Sequence, residues 1–167
     1  MSEGERPVRE RTIRWDDPVE AARIGRTMDG ARYLRAIAEG AAPAPPIAAL
    51  LDMRLTEVGE GRAVFTLTPQ EFHYNPIGSV HGGVAATLLD SAMGCAINTL
   101  LPQGTGYTTL EINVNYVRAL THETGEVRCE GRVIHLGGKI ATAEGTITDA
   151  AGKLYAHATT TCIILRG

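Results

Sequence analysis

The chain has 167 residues, 44% hydrophobic and 21% charged, a size and balance that suit one globular domain with a sizeable core. A formal net charge of -3 argues against a general nucleic-acid binder, which carries a basic excess. The longest apolar stretch, Val84 to Leu101, is broken by Asp90, Ser91 and Asn98, so no bilayer span fits, and the N-terminus lacks the apolar run of a signal peptide. Cys95, Cys129 and Cys162 are widely spaced, which implies neither a disulfide framework nor a CxxC metal site; a cytoplasmic, reduced protein is expected.

Residues 1–16 interleave Arg6, Arg9, Arg11 and Arg14 with Glu3, Glu5 and Glu10. Because the acids cancel the charge, the segment reads as a solvated, partly disordered tail rather than a polyanion-binding arm. Pro18 opens a short helix through about Met28, capped by Asp16 or Asp17. Tyr33, Leu34, Ile37 and Ala38 recur at helical spacing within Ala31–Glu39, and Gly40 ends that helix. Ala41 to Pro46 reads as a stiff linker, so residues 1–46 form an accessory extension ahead of a domain over 47–167.

From there the period changes. Leu51–Val58 and Arg62–Thr68 read as strands of a hairpin turning at Gly59-Glu60-Gly61. Val84–Leu101 is apolar or small around nearly its whole circumference, which predicts a buried helix roughly 27 Å long. Four strands follow, Tyr107–Ala119, Glu126–Leu136, Lys139–Asp149 and Lys153–Leu165, with glycines at their turns. In the first of them, alternation puts Thr108, Leu110, Ile112, Val114 and Tyr116 on a dry face and Thr109, Glu111, Asn113 and Asn115 on the other. The expected architecture is α+β: one long helix wrapped by an antiparallel sheet of about six strands.

Two features carry chemistry. Gly82 and Gly83 stand where the first unpaired N–H groups of the long helix point outward, a natural place to hold developing negative charge on an oxygen. Asp90 lies inside the apolar helix, where an ionised carboxylate costs several kcal/mol to bury unless it is paired. It reads either as a general base or as a structural residue satisfied by Thr87 or Ser91. Asp90 is eight residues beyond Gly82, about 12 Å along the axis. A base and an oxyanion donor must both lie near 3 Å from the reacting centre. If both residues act, they therefore come from different subunits of a two-fold dimer.

Asn75, then His81-Gly82-Gly83, then Asp90 in the helix and Thr108 opening the next strand resemble the hotdog-fold acyl-CoA thioesterases of the PaaI type, over roughly residues 47–165. The resemblance implies the hotdog fold and hydrolysis of a small or medium, aliphatic or aromatic acyl-CoA to a carboxylic acid and free coenzyme A. It implies that the Gly82 N–H binds the thioester oxygen and that Asp90 of the partner acts as base or nucleophile. Asn75 and His81 would position thioester and water, and Thr108 would orient the water. Gly83 and the turn Gly137-Gly138-Lys139 would meet the substrate, with Lys139 at a phosphate.

No metal or redox cofactor is expected, coenzyme A being part of the substrate. A metal held by His73, His81 and Asp90 is disfavoured, since the last two lie at a helix start and two turns deeper. The expected partners are the acyl-CoA and a second copy of the chain, in a homodimer or a dimer of dimers, with neither nucleic acid nor membrane. The rival readings are a hotdog dehydratase or hydratase acting on acyl thioesters and a non-catalytic acyl-CoA sensor.

Overall fold

The computed structural model describes residues 7–166. Helix α1 (Pro18–Gly25) starts with proline at its first position, where no N–H is needed, and the Asp17 side chain accepts from the Val19 N–H at 2.8 Å. Helix α2 (Gly30–Ala38) is capped in the same way by Asp29, which accepts from the Arg32 N–H. A third helix, α3 (Pro46–Leu51), begins at the end of the expected linker, because the last proline of that run is pre-set for a helical first turn. Asp52, in the left-handed region at φ 53°, stops it.

The sheet contains β1 (Met53–Gly59), β2 (Arg62–Leu67), β3 (Thr105–Tyr116), β4 (Val127–Leu136), β5 (Ile140–Asp149) and β6 (Leu154–Arg166). Its order is β1-β2-β4-β5-β6-β3, antiparallel throughout, with β1 and β3 as the two edges. The long helix, α4 (Gly82–Asn98), lies on the inner face of this sheet. Two strand glycines make room for it. Gly131 and Gly145 sit opposite each other on β4 and β5, and a Cβ on Gly131 would lie 2.3 Å from the Ala92 carbonyl. The helix backbone therefore rests directly on the sheet, and Leu89, Ala92, Met93, Ala96 and Ile97 are fully buried.

The N-terminal segments are bound to this core. Leu34 of α2 is buried within the same apolar cluster. The Gly30 N–H donates to the Leu101 carbonyl at 3.1 Å, so α2 starts where α4 ends. The arm before α1 is solvent-exposed over residues 7–17 apart from Ile13, as expected of a solvated tail, and two of its arginines anchor it to the domain. Arg11 donates to the carbonyls of Leu50 (2.7 Å) and Ala49 (3.0 Å) and lies 3.8 Å above the Phe72 ring, while Arg9 pairs with Glu71. The last carbonyls of a helix lack internal partners and attract a cation, and α3 supplies them. Glu3, Glu5 and Arg6 of that arm lie outside the described residues.

Strand β3 departs from the expected alternation. A β-bulge between Thr109 and Glu111 inserts one extra residue, so the inward face changes from odd to even positions along the strand. Tyr107 and Thr109 point inward before the bulge, and Ile112 and Val114 after it. Thr108 is exposed, and Leu110, expected on the dry face, is 57% exposed. Tyr116 also lies half open at 56%, at the end of the strand.

Candidate active site

The loop that delivers the chain to α4 is held by its own polar groups. His73 is buried; its Nδ1 accepts the Gln70 N–H at 3.0 Å, so its Nε2 carries the proton given to the Leu51 carbonyl at 2.9 Å. Burial favours this neutral ring and lowers its pKa below the ordinary histidine value. With both ring nitrogens spent on backbone groups, His73 has no lone pair for a metal, and the described residues contain no cluster of three or more side chains able to hold one.

Asn75 organises the next turn. Its side-chain oxygen accepts from the N–H groups of Ile77 (3.0 Å) and Ser79 (3.2 Å), and its amide donates to the Ser79 hydroxyl at 3.1 Å. Gly78, at φ 86°, allows the reversal. The Val80 N–H then bonds the Leu120 carbonyl and the His81 N–H bonds that of His73, which fixes where α4 begins.

His81 is the N-cap of α4, its Nδ1 accepting the Gly83 N–H at 2.8 Å. That bond leaves Nε2 as the protonated, outward nitrogen of the neutral ring. The Gly82 N–H belongs to the first helical turn and finds no acceptor among the described residues. The Tyr116 hydroxyl donates to the Gly82 carbonyl at 3.0 Å, and its ring lies so close that a Cβ on Gly82 would meet it at 3.1 Å. A cavity of about 280 Å³ opens beside Gly82, lined also by Tyr116, Arg118 and Tyr155.

Asp90 is half-buried on the flank of α4 that faces the edge strand β3. Its Oδ1 accepts the Thr109 hydroxyl at 2.8 Å. Thr109 therefore stands where Thr108 was expected; the bulge turns Thr108 outward and puts its neighbour on the carboxylate. Thr87, one alternative partner for a structural Asp90, spends its hydroxyl on the Gly83 carbonyl at 2.9 Å. Burial together with the nearby Asp90 charge pushes the Cys95 thiol up to about 12, so it is no nucleophile.

The expected residues fall into three groups. His81, Gly82 and Gly83 are together at the N-terminus of α4, with Asn75 in the loop behind them. Asp90 and Thr109 meet two turns further along, about 12 Å down the axis. Gly137, Gly138 and Lys139 form the exposed β4–β5 turn, with the Gly137 N–H bonded to the Ile140 carbonyl at 2.8 Å. Gly137 borders a cleft with Leu101 and Thr105, beyond the C-terminal end of α4 and away from Gly82. Within one subunit these groups do not converge. Sequence reasoning missed Thr109 and Tyr116, and no Gly or Pro marks the bulge that decides the first of them.

Residues 77–156 match the model of the thioesterase superfamily. The 1,4-dihydroxy-2-naphthoyl-CoA hydrolase of Escherichia coli is 30% identical over 116 residues, covering 69% of this chain and 83% of that protein. A phenylacetic acid degradation-related protein from Ralstonia eutropha superposes with a TM-score of 0.71 at 27% identity, covering 78% of this chain and 98% of the other. The PaaI protein of the Escherichia coli phenylacetic acid degradation operon gives the same TM-score at 22% identity, covering 82% and 96%, and supports the fold. The fold, the capped glycine turn and these similarities converge: the chain belongs to the thioesterase superfamily and is a hotdog-fold thioester hydrolase.

Proposed function

We propose that the protein hydrolyses a small or medium, aliphatic or aromatic acyl-CoA at a site shared by two copies of the chain. The observation that carries this reading is the half-buried Asp90 carboxylate, held by a single hydroxyl from the edge strand β3 and two i, i+4 steps along α4 from Gly82. Ala86 lies midway between Gly82 and Asp90. A two-fold axis near Ala86 lays two α4 helices side by side, antiparallel, with each Gly82 beside the partner subunit's Asp90. Gly83 and Ala86 are small enough for that approach. The outer edge of β3, a strand of 12 residues, is free to pair with its own copy about the same axis.

In this arrangement the Gly82 N–H and the helix dipole stabilise the oxyanion of the thioester carbonyl. His81, through its outward Nε2–H, and Gly83 line the approach. Asp90 of the other subunit either takes a proton from water as it attacks or attacks the carbonyl itself, giving a mixed anhydride that water then opens. In the first route the coenzyme A thiolate leaves and the carboxylic acid remains; in the second it leaves at the anhydride step. Thr109 fixes one oxygen of Asp90 and offers its own lone pairs to the water. Asn75 sets the loop that positions His81. The turn Gly137-Gly138-Lys139 would meet the coenzyme A moiety, Lys139 at a phosphate, and coenzyme A enters only as part of the substrate.

Mixed dimers test the shared site. Asp90→Asn removes the carboxylate, and Gly82→Pro removes the N–H at the first helical position, where the backbone suits proline and the half-open Tyr116 ring has to shift slightly to admit it. Each variant alone is expected to be inactive in coenzyme A release. Unfolded together and refolded, random pairing restores one site in half of the dimers, roughly a quarter of wild-type activity. A mixture as inactive as its components rejects the shared site.

A further inference from the structure

A largely apolar cavity of about 530 Å³ lies beside the C-terminal half of α4, with Cys95, Asn98 and Tyr107 in its wall. Tyr107 precedes Thr109 by two residues on the inward face of β3, and its ring packs where a Cβ on Gly94 would meet the hydroxyl at 2.8 Å. Asp90, Gly94 and Asn98 follow one another at intervals of four, a single stripe along α4. Cys95 and Tyr107 are the wall residues nearest Asp90 along α4 and β3, and Leu34, Ile37, Met53 and Phe65 wall the rest. Its size and apolar lining suit a hydrocarbon group.

Tyr33 and Asn98 border this cavity and also a second one, of about 350 Å³, reached between α1 and the Pro102–Gly106 segment. The two residues thus stand between the two spaces. Their placement is fixed by neighbours. The Tyr33 hydroxyl donates to the Ala21 carbonyl at 3.1 Å, and its ring lies against Gly25, where a Cβ would meet it at 2.9 Å. Asn98 is held because its carbonyl presses on Gly30, a position where a Cβ would lie 1.8 Å away.

We propose that Tyr33 and Asn98 form a partition that limits the length of the acyl group this enzyme accepts, an inference that rests on the acyl-CoA reading of Asp90. Asp90 and Asn98 are about 12 Å apart along α4 at 1.5 Å per residue. With C–C bonds of about 1.5 Å in a zig-zag, that span holds roughly nine carbons. The first cavity therefore fits a medium-chain acyl group or an aryl group of similar reach. Removing the Tyr33 ring joins the two cavities and admits a longer chain. The helices ahead of the sheet thus act as a ruler.

The test is coenzyme A release across straight-chain acyl-CoAs from acetyl to hexadecanoyl. Tyr33→Ala is expected to raise kcat/KM for dodecanoyl-CoA relative to octanoyl-CoA at least tenfold, and Ile37→Trp to move the optimum to shorter chains. Should Tyr33→Ala fail to fold, Asn98→Ala carries the same expectation from the other half of the partition. A wild-type enzyme that turns over acyl-CoAs, with chain-length profiles unchanged in both variants, overturns the partition and leaves the acyl-CoA reading standing. If the wild type releases coenzyme A from none of them, the acyl-CoA reading fails, and calorimetric titration with octanoate and dodecanoate decides the cavity. Dodecanoate bound by Tyr33→Ala and not by the wild type supports the partition; binding of both acids alike, or of neither, overturns it.

Discussion

On the side of α4 packed against the middle of the sheet, Leu88, Leu89, Ala92, Met93 and Ile97 are at most 1% exposed; on the rest of its surface, including the flank that faces the edge strand β3, Gly83, Ala86, Thr87, Asp90 and Ser91 stay at least partly open. The closed side is completed by this chain alone. Gly131 and Gly145 let the helix backbone touch the sheet, and nothing larger fits. The open side is chemically unfinished: a carboxylate with one hydroxyl on it and, two turns away, an N–H with no acceptor among the described residues. One helix thus carries stability on one face and the groups of the proposed site on the rest of its surface. Substitutions should separate the two accordingly.

The sharpest separation is expected from Asp90→Asn. It removes the charge and keeps the shape, so kcat/KM for acyl-CoA hydrolysis should fall about a thousandfold, the scale of a lost acid–base catalyst. The melting temperature should stay within a few degrees of wild type. Hydrolysis retained within about threefold would take Asp90 out of the chemistry.

The reverse pattern is expected from Gly131→Ala on the closed side. A methyl group 2.3 Å from the Ala92 carbonyl forces helix and sheet apart. Overpacking of this kind costs about 1–3 kcal/mol, a drop of roughly 3–10 °C in Tm by scanning calorimetry. The folded fraction should keep wild-type kcat at low temperature.

Adjacent threonines on β3 allow a finer cut. Thr109→Val removes the donor to Asp90 and should lower kcat/KM about ten- to thirtyfold, consistent with about 1.4–2 kcal/mol for a hydrogen bond to a charged group. Thr108→Val, on the exposed side of the bulge, should change it by less than about twofold. Equal losses at both positions would mean that the bulge does not choose between them.

The smallest effect concerns His73, which lies outside α4 and serves only the loop. Its folded pKa is lowered by burial, so between that value and the ordinary 6.5 the unfolded chain binds more protons than the folded one. The stability it contributes is present above about pH 6.5 and is lost as pH falls through that value toward the folded pKa. Wild type should therefore melt a few degrees above His73→Gln at pH 7.5, with the gap narrowing by pH 5.5 in matched thermal melts. A gap that is constant or widens in acid would show that His73 is not held neutral.

Much of the site is legible in the amino-acid order. His81-Gly82-Gly83 ahead of an apolar helix marks a capped, approachable helix start, and Asp90 stands out because burying a carboxylate is costly. Their separation along one helix follows from the rise per residue alone. The choice between Thr108 and Thr109 is not legible there, because a one-residue bulge reverses the facing of the strand and either register satisfies the local pattern. The role of Asn75 as the brace of the 75–79 turn emerges only from its side-chain bonds to Ile77 and Ser79. Helix α3 is hidden by the alanine–proline run, in which proline marks a linker or a helix start equally well.

The sequence by itself determined the long apolar helix, the six strands and the two groups, Gly82 and Asp90, on which chemistry can rest, because these depend on periodicity, propensity and the cost of burying charge. Only the tertiary structure decided which threonine meets Asp90, that α2 is part of the core, and that Tyr33 and Asn98 stand between two cavities. Each of those depends on register or on contacts between residues far apart in the chain, where local pattern carries no preference and packing chooses.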